Sequence, residues 1–196
     1  MASQKDKETR SWQQSILLYV HDLMCMLLVV MLLFLVVFRV ILVTGDSMFA
    51  TLWDGDYLLL VSELFCGDPE PGDIVVISKQ SFDEGKPIVK RVIATEGQTV
   101  DIDFESGTVY VDGKALREPY IHNETTNEEG TEFPLTVAEN CIFVLGDNRA
   151  VSLDSRSPRI GQIDRREVLG KAVFLLIPGT HHGQLLPDYS RIGAVN

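Results

Sequence analysis

Two side chains stand where their surroundings could support covalent chemistry. Ser47 lies in Thr44-Gly45-Asp46-Ser47-Met48-Phe49-Ala50-Thr51-Leu52, where a long apolar run stops. Serine is a weak nucleophile until a neighbouring base takes its proton, so the question is which base the chain supplies. The 4 histidines are His21, His122, His181 and His182. His21 sits at the edge of the apolar run, His122 in a polar segment, and the other two in the tail. No local context locks an imidazole in place, so a Ser-His-Asp triad is poorly supported. Lys90 lies within Pro87-Ile88-Val89-Lys90-Arg91-Val92-Ile93-Ala94. In a strand, Ile88, Lys90 and Val92 share one face, apolar except for the ammonium. Burial there lowers a lysine pKa, and a neutral amine can act as a general base. Lys86, beside Gly85 in a loop, is a weaker candidate. The alternative is a lysine facing solvent at a sheet edge, and this stretch alone leaves both readings open.

A third polar cluster follows a strand: Leu145-Gly146-Asp147-Asn148-Arg149-Ala150-Val151-Ser152-Leu153-Asp154-Ser155-Arg156. Asp147 and Asp154 could each accept a bidentate bond from Arg149 or Arg156. The Ser152 hydroxyl could orient an amine. A plainer reading is a polar loop with two surface ion pairs of little energetic weight.

These groups need a scaffold. Residues 1–15 are polar, with Lys5, Lys7 and Arg10 among them. Every residue from Leu23 to Phe38 is apolar, and the run resumes after Arg39 as Val40 to Val43. That is about 21 residues, or roughly 30 Å of helix, enough to cross a bilayer. Ile16 to Val20 extends it beyond His21 and Asp22, and Arg39 can snorkel to the interface. A cleaved secretory signal would be shorter and would end in small residues, so an uncleaved anchor over 16–43 is expected. The basic residues before it favour a cytoplasmic N-terminus.

After Val43 no stretch has a helical period. Strands are predicted at 57–61, 74–77, 88–94, 99–104, 141–145 and 168–177. A hairpin is predicted over 108–116 with Asp112-Gly113 as a type I′ turn. Residues 117–132 read as a mobile acidic excursion, and the tail from Thr180 reads as irregular. The expected fold is mainly β, an antiparallel catalytic domain behind one transmembrane helix. The formal net charge of -11 repels phosphate backbones, which argues against a nucleic-acid partner. Cys25, Cys66 and Cys141 match no metal spacing. A Cys66–Cys141 disulfide is open to the chain only outside the cytoplasm, and the sequence cannot fix that pairing.

Taken together, Gly-Asp-Ser-Met with Thr51-Leu52, Val-Lys-Arg-Val, and Gly-Asp-Asn-Arg-x-x-Ser-x-Asp-Ser-Arg, in this order after an anchor, resemble bacterial type I signal peptidase in its short, single-anchor Gram-positive form. The resemblance spans about 16–178. It implies a serine endopeptidase with Ser47 as nucleophile and Lys90 as general base. It implies that Ser152 hydrogen-bonds the lysine amine and that Asp154 and Arg156 are structural ion-pairing residues. Asp147 and Arg149 belong to the same turn, Gly45 and Gly146 match tight-turn glycines, and Met48, Leu52 and Ile88 lie near the substrate pocket. Ala50 departs from the family's usual proline. Gly45 stands where Gram-negative enzymes place a hydroxyl in the oxyanion hole, which leaves the Ser47 N–H and a water to stabilise the oxyanion.

The implied substrates are signal-peptide-bearing preproteins, met at the lipid bilayer near the export machinery, with no metal or organic cofactor. The implied organisation is a cytoplasmic segment at 1–15, the anchor at 16–43, an extracytoplasmic peptidase domain at 44–179 with a reduced subdomain at about 101–140, and a tail at 180–196. Two rivals remain at this stage. One is an SOS-repressor-like Ser/Lys autoprotease, against which the anchor and the third motif argue. The other is a non-catalytic anchored peptide-binding β-domain, against which the intact Ser47, Lys90 and Ser152 set argues.

Overall fold

A computed structural model describes residues 2–80, 82, 85–180 and 184–195. It divides into two compact units, 1–38 and 39–196. The first is the helix α1, Ala2–Val37. From Gln14 to Val37 it is long and apolar enough to span a membrane. Leu17, Tyr19, Met24 and Leu35 are each more than 60% exposed. Such a continuous uncovered apolar surface is suited to lipid rather than water. The helix stops earlier than the apolar run does. Phe38–Leu42 form the strand β1, so the anchor reading of 16–43 overshoots at its end. A short apolar run fits a strand as well as a helix, and periodicity alone does not separate them.

The second unit is two antiparallel sheets. The larger contains β1, β2 (Tyr57–Ser62), β3 (Ile74–Ile77) and β4 (Ile88–Thr95). The smaller contains β5 (Thr99–Asp103), β6 (Thr108–Val111), β7 (Lys114–Ala115) and β8 (Leu135–Thr136). The chain then returns to the larger sheet with β9 (Cys141–Leu145), β10 (Ile163–Asp164), β11 (Val168–Ile177) and β12 (Gly193–Ala194). Spatial order in the larger sheet is β1-β2-β11-β3-β4-β9-β10, with β12 on β11; in the smaller it is β7-β6-β5-β8. Asp112 and Gly113 have φ of 51° and 73°, the left-handed pair that a type I′ hairpin requires.

Burial explains the sequence pattern. All four residues of β3 are buried, because core lies on both faces of the larger sheet. Leu58, Leu60, Val76 and Val89 pack in one cluster, and Val75, Ile77, Val92 and Val144 in another. A strand covered on both faces has no reason to alternate. β5 does alternate, with Val100 and Ile102 inward and Asp101 and Asp103 outward, and its core is shared with Ile93, Phe143 and Leu145.

Two expectations for the loops do not hold. The tail is not irregular throughout: residues 181–183, with His181 and His182, lie outside the described residues, but β12 pairs with β11 at Phe174 and Leu175, and a 3₁₀ turn spans Tyr189–Arg191. Arg191 grips the buried Asp56 through both guanidinium nitrogens, at 3.0 and 2.7 Å, and stacks on Trp53 at 3.7 Å. The acidic excursion is not a mobile loop either. Glu118 and Thr125 accept from Arg149, and the Asn127 carbonyl accepts from Arg156. The three cysteines are free thiols.

Candidate functional site

Ser47 sits in a loop closed at its base by reciprocal backbone bonds. Val43 N–H donates to the Asp56 carbonyl at 2.8 Å and Gly55 N–H to the Val43 carbonyl at 3.0 Å. Gly45 has a φ of 83°, a left-handed conformation that glycine adopts without a Cβ penalty. Its N–H donates to Asp54 Oδ1 at 2.7 Å. Residues 46–52 form tight turns, with Phe49 N–H donating to the Asp46 carbonyl at 3.1 Å and Leu52 N–H to the Met48 carbonyl at 2.8 Å. Met48 and Leu52 are each only 1% exposed, buried in the core beneath. They root the loop in the core, packed with Val43 and Val89 beneath the site. The Phe49–Ala50 peptide is cis.

Lys90 approaches from the middle of β4 and is 3% exposed. Its Nζ lies 2.8 Å from Ser47 Oγ and 2.9 Å from the Val89 carbonyl oxygen. Burial pushes its pKa down to about 8, against the opposing pull of Asp154, Asp147 and Glu129. Of the two readings of this lysine, the structure adopts the buried one. A neutral amine in contact with a serine hydroxyl can accept its proton, which makes the pair chemically competent.

A cleft of about 230 Å³ opens beside the pair, with residues 42–44 on one wall and residues 86–89, Ile88 included, on the other. β1 is an edge strand of the larger sheet and β4 its fifth, so the sheet must curl for both to border one cleft. β9 pairs with β4 only from Arg91 onward, which leaves the edge of Ile88–Lys90 beside the cleft without a neighbouring strand among the described residues. Both walls therefore offer backbone to an extended peptide.

The third motif holds this arrangement through pairings that its own sequence does not show. Asp147 accepts from Arg91 at 2.8 and 2.7 Å, not from Arg149 or Arg156, and it also accepts from the Thr51 hydroxyl. The Arg91 guanidinium stacks on Tyr120 at 3.9 Å. Asp154 takes Arg156 in a bidentate pair at 2.9 and 3.0 Å and accepts from Gly146 N–H at 3.0 Å. Arg149 pairs with Glu118 of the excursion. These are buried pairs, not the surface pairs of the plainer reading. Arg91, Glu118 and Thr51 were missed because their partners lie 31 to 96 residues away in sequence. The hydroxyl of Ser152 is buried without a hydrogen-bond partner among the described residues, so the expected bond to the amine is not formed. Nζ is held by Ser47 and the Val89 carbonyl instead.

Gly146 is confined by close approach. A Cβ there would fall on Ser152 Oγ and within 2.5 Å of the Ser47 carbonyl oxygen. Gly146→Ala should therefore displace the Ser47 backbone and lower turnover about 100-fold, the usual penalty for a 1 Å misplacement. Steady-state kinetics beside a urea melt check this, and near-normal kcat in a folded variant would refute it.

Residues 16–177 match the family model described as "Signal peptidase, peptidase S26". The chain is 36% identical to a signal peptidase I of Bacillus licheniformis over 149 residues, 72% of this chain and 77% of that protein. It is 34% identical to signal peptidase I T of Bacillus subtilis, over 72% of this chain and 75% of that one. A crystal structure of a signal peptidase I from Enterococcus faecalis V583 covers 53% of this chain and 96% of its own, with 32% identity and a TM-score of 0.44.

Proposed function

Because the chain belongs to the signal peptidase family, peptidase S26, we propose that it is a membrane-anchored serine endopeptidase that removes N-terminal signal peptides from secreted preproteins, with Ser47 as nucleophile and Lys90 as general base. The observation that carries this reading is the 2.8 Å contact between Ser47 Oγ and a buried lysine amine whose pKa burial lowers to about 8. In the neutral state the hydrogen bond runs from Oγ–H to Nζ. Nζ takes that proton as Oγ attacks the scissile carbonyl, and the resulting ammonium gives it to the leaving amine. An acyl-enzyme ester remains. Lys90 then deprotonates a water, which attacks the ester and restores Ser47.

The substrate enters extended and adds as a strand between residues 42–44 and the open edge of Ile88–Lys90. Ile88 and Val43, rather than Met48 or Leu52, border the small side chains before the cut. Asp147, Asp154, Arg156 and Arg149 act at one remove, by fixing the loop that meets Ser47. Ser152 packs against Gly146 and keeps that loop close. The test is turnover of a peptide bearing Ala-x-Ala: cleavage after the second alanine, lost in Ser47→Ala, is expected, and binding without cleavage would favour a recognition module.

The same reading places residues 1–15 in the cytoplasm, an anchor ending near Val37, and the peptidase unit outside, beside the bilayer and the export machinery, with residues 191–194 folded onto it. Lys5, Lys7 and Arg10 ahead of the helix support that direction. Protease added to intact protoplasts should digest the β unit, whereas digestion only after lysis would reverse the topology.

A further inference from the structure

Asn148 is absent from every role described so far, yet it holds the backbone of Ser47 twice. Its own N–H donates to the Ser47 carbonyl at 3.0 Å, and its side-chain Nδ2 donates to the Asp46 carbonyl at 3.1 Å. The residue is 7% exposed. Its Oδ1 is buried without a hydrogen-bond partner among the described residues. The orientation of the amide follows from the chemistry, because a carbonyl oxygen only accepts and the atom facing it must be the NH₂ group. An arrangement that leaves Oδ1 unpaired so that Nδ2 can reach Asp46 gives up one hydrogen bond to secure another, and that calls for a reason.

The reason lies in peptide geometry. The Asp46 carbonyl and the Ser47 N–H belong to one planar peptide unit. It is trans, so the two point in opposite directions. Asn148 grips the carbonyl end. Phe49 N–H donates to the same oxygen at 3.1 Å. The N–H end is then directed away from the motif loop, and no described residue accepts from it. This N–H is the backbone donor available to an oxyanion formed on the carbonyl that Ser47 attacks, since Gly45 contributes no hydroxyl.

We infer that Asn148 is a positioning residue for the oxyanion hole: its side-chain amide fixes, and by hydrogen-bond polarisation strengthens, the Ser47 N–H that stabilises the tetrahedral intermediate. The inference rests on Ser47 being the nucleophile. Two contributions act together. Fixing the peptide plane removes reorganisation at the moment charge develops. A donor on the carbonyl also draws electron density through the amide and makes its N–H a better donor, an increment of about 10–30% per bond. Orientation is therefore the larger share.

The test uses the full-length enzyme in detergent with an Ala-x-Ala peptide. Asn148→Ala, and Asn148→Leu as a variant of similar size, should lower kcat about 10- to 100-fold, somewhat less than loss of a direct oxyanion donor. KM should stay within about threefold, because the ground-state carbonyl gains little from this donor. A peptide aldehyde, whose adduct with Ser47 carries the oxyanion, should bind more weakly in proportion to the fall in kcat/KM. The acid limb of the pH–rate profile should stay put, since the Ser47–Lys90 contact is not the one removed. A merely structural Asn148 would act through that contact and move the limb. Retained kcat, aldehyde affinity unchanged while kcat falls, or a shifted limb would each overturn the inference. Ser47→Ala in the same assay tests the underlying reading separately: an active Ser47→Ala enzyme refutes the proposed function, whereas an inactive one beside a fully active Asn148→Ala refutes only the role of Asn148.

Discussion

Lys90→Ala should lower kcat/KM on an Ala-x-Ala peptide by roughly 10⁴-fold or more, as loss of a nucleophile or its base does in serine hydrolases. Ser47→Ala should be equally inert, and both proteins should remain folded. The pH dependence identifies the base. Only the neutral amine can take the Ser47 proton, so the rate should rise with pH through an ionisation near 8. A lysine at its ordinary pKa would be only about 0.04% neutral at pH 7, whereas one near 8 is roughly 9% neutral. Desolvation thus supplies about two orders of magnitude in competent enzyme. The same shift enters stability. The folded state holds this proton less tightly than the unfolded chain, whose lysine titrates near 10.5. Stability is therefore reduced below about pH 8 and recovers as pH rises toward 10.5, over a range on the order of 3 kcal/mol. Urea melts of the wild type should show that rise, and Lys90→Met should lack it. A limb near 10, or one that persists in residual Lys90→Ala activity, would assign the chemistry to another group.

Asp147→Ala should destabilise the β unit by about 3–5 kcal/mol, the range for stripping one member from a buried ion pair. Arg91 is 2% exposed and Asp147 fully buried, so the guanidinium left behind would lose its buried carboxylate, although the Gly72 carbonyl and the face of Tyr120 would stay beside it. Activity should fall as well, because Asp147 also accepts from Thr51 in the Ser47 loop. Arg91→Met with Asp147→Leu should recover part of the lost stability, since a well-packed apolar pair avoids the unpaired charge. Equilibrium urea unfolding measures both. A loss under 1 kcal/mol in Asp147→Ala would mean that water reaches Arg91, and additivity in the double variant would mean that the two residues do not act as a pair.

How much of this could be read in advance depended on the range of each interaction. The strands at 74–77, 141–145 and 168–177 were legible to the residue, since buried apolar runs between turn residues are local signals. That Ile88, Lys90 and Val92 share a face follows from strand geometry, but whether the face is buried was left open, because β4 is buried on both sides and its pattern does not alternate. β1 was hidden inside an apolar run continuous with the helix. β12 is two residues long and exists only because β11 offers it an edge. The partner of Asp147 was misread because Arg149 and Arg156 are close in sequence, whereas Arg91 is brought close by the register of β4 on β9. Met48 and Leu52 are buried in the core because of the tight turns at 46–52, a local conformation that strand-and-turn patterning does not reveal.

The strap from Arg191 to Asp56 carries a consequence for synthesis. Ser47 and Lys90 are 43 residues apart, Thr51 and Asp147 are 96, and Asp56 and Arg191 are 135. Contacts of such separation form late, because the intervening chain must be present and its loop closed first. β2, which starts just past the Ser47 loop, has β11 as its inner neighbour, so that loop has no finished floor until residues 168–177 arrive. Cys141–Leu145 must likewise be present before Gly146 and Asn148 can clamp Ser47. A chain emerging N-terminus first would thus display its serine long before that serine could react. Catalytic competence would arrive only as those strands close, and the growing chain would be inert toward its neighbours until they are in place.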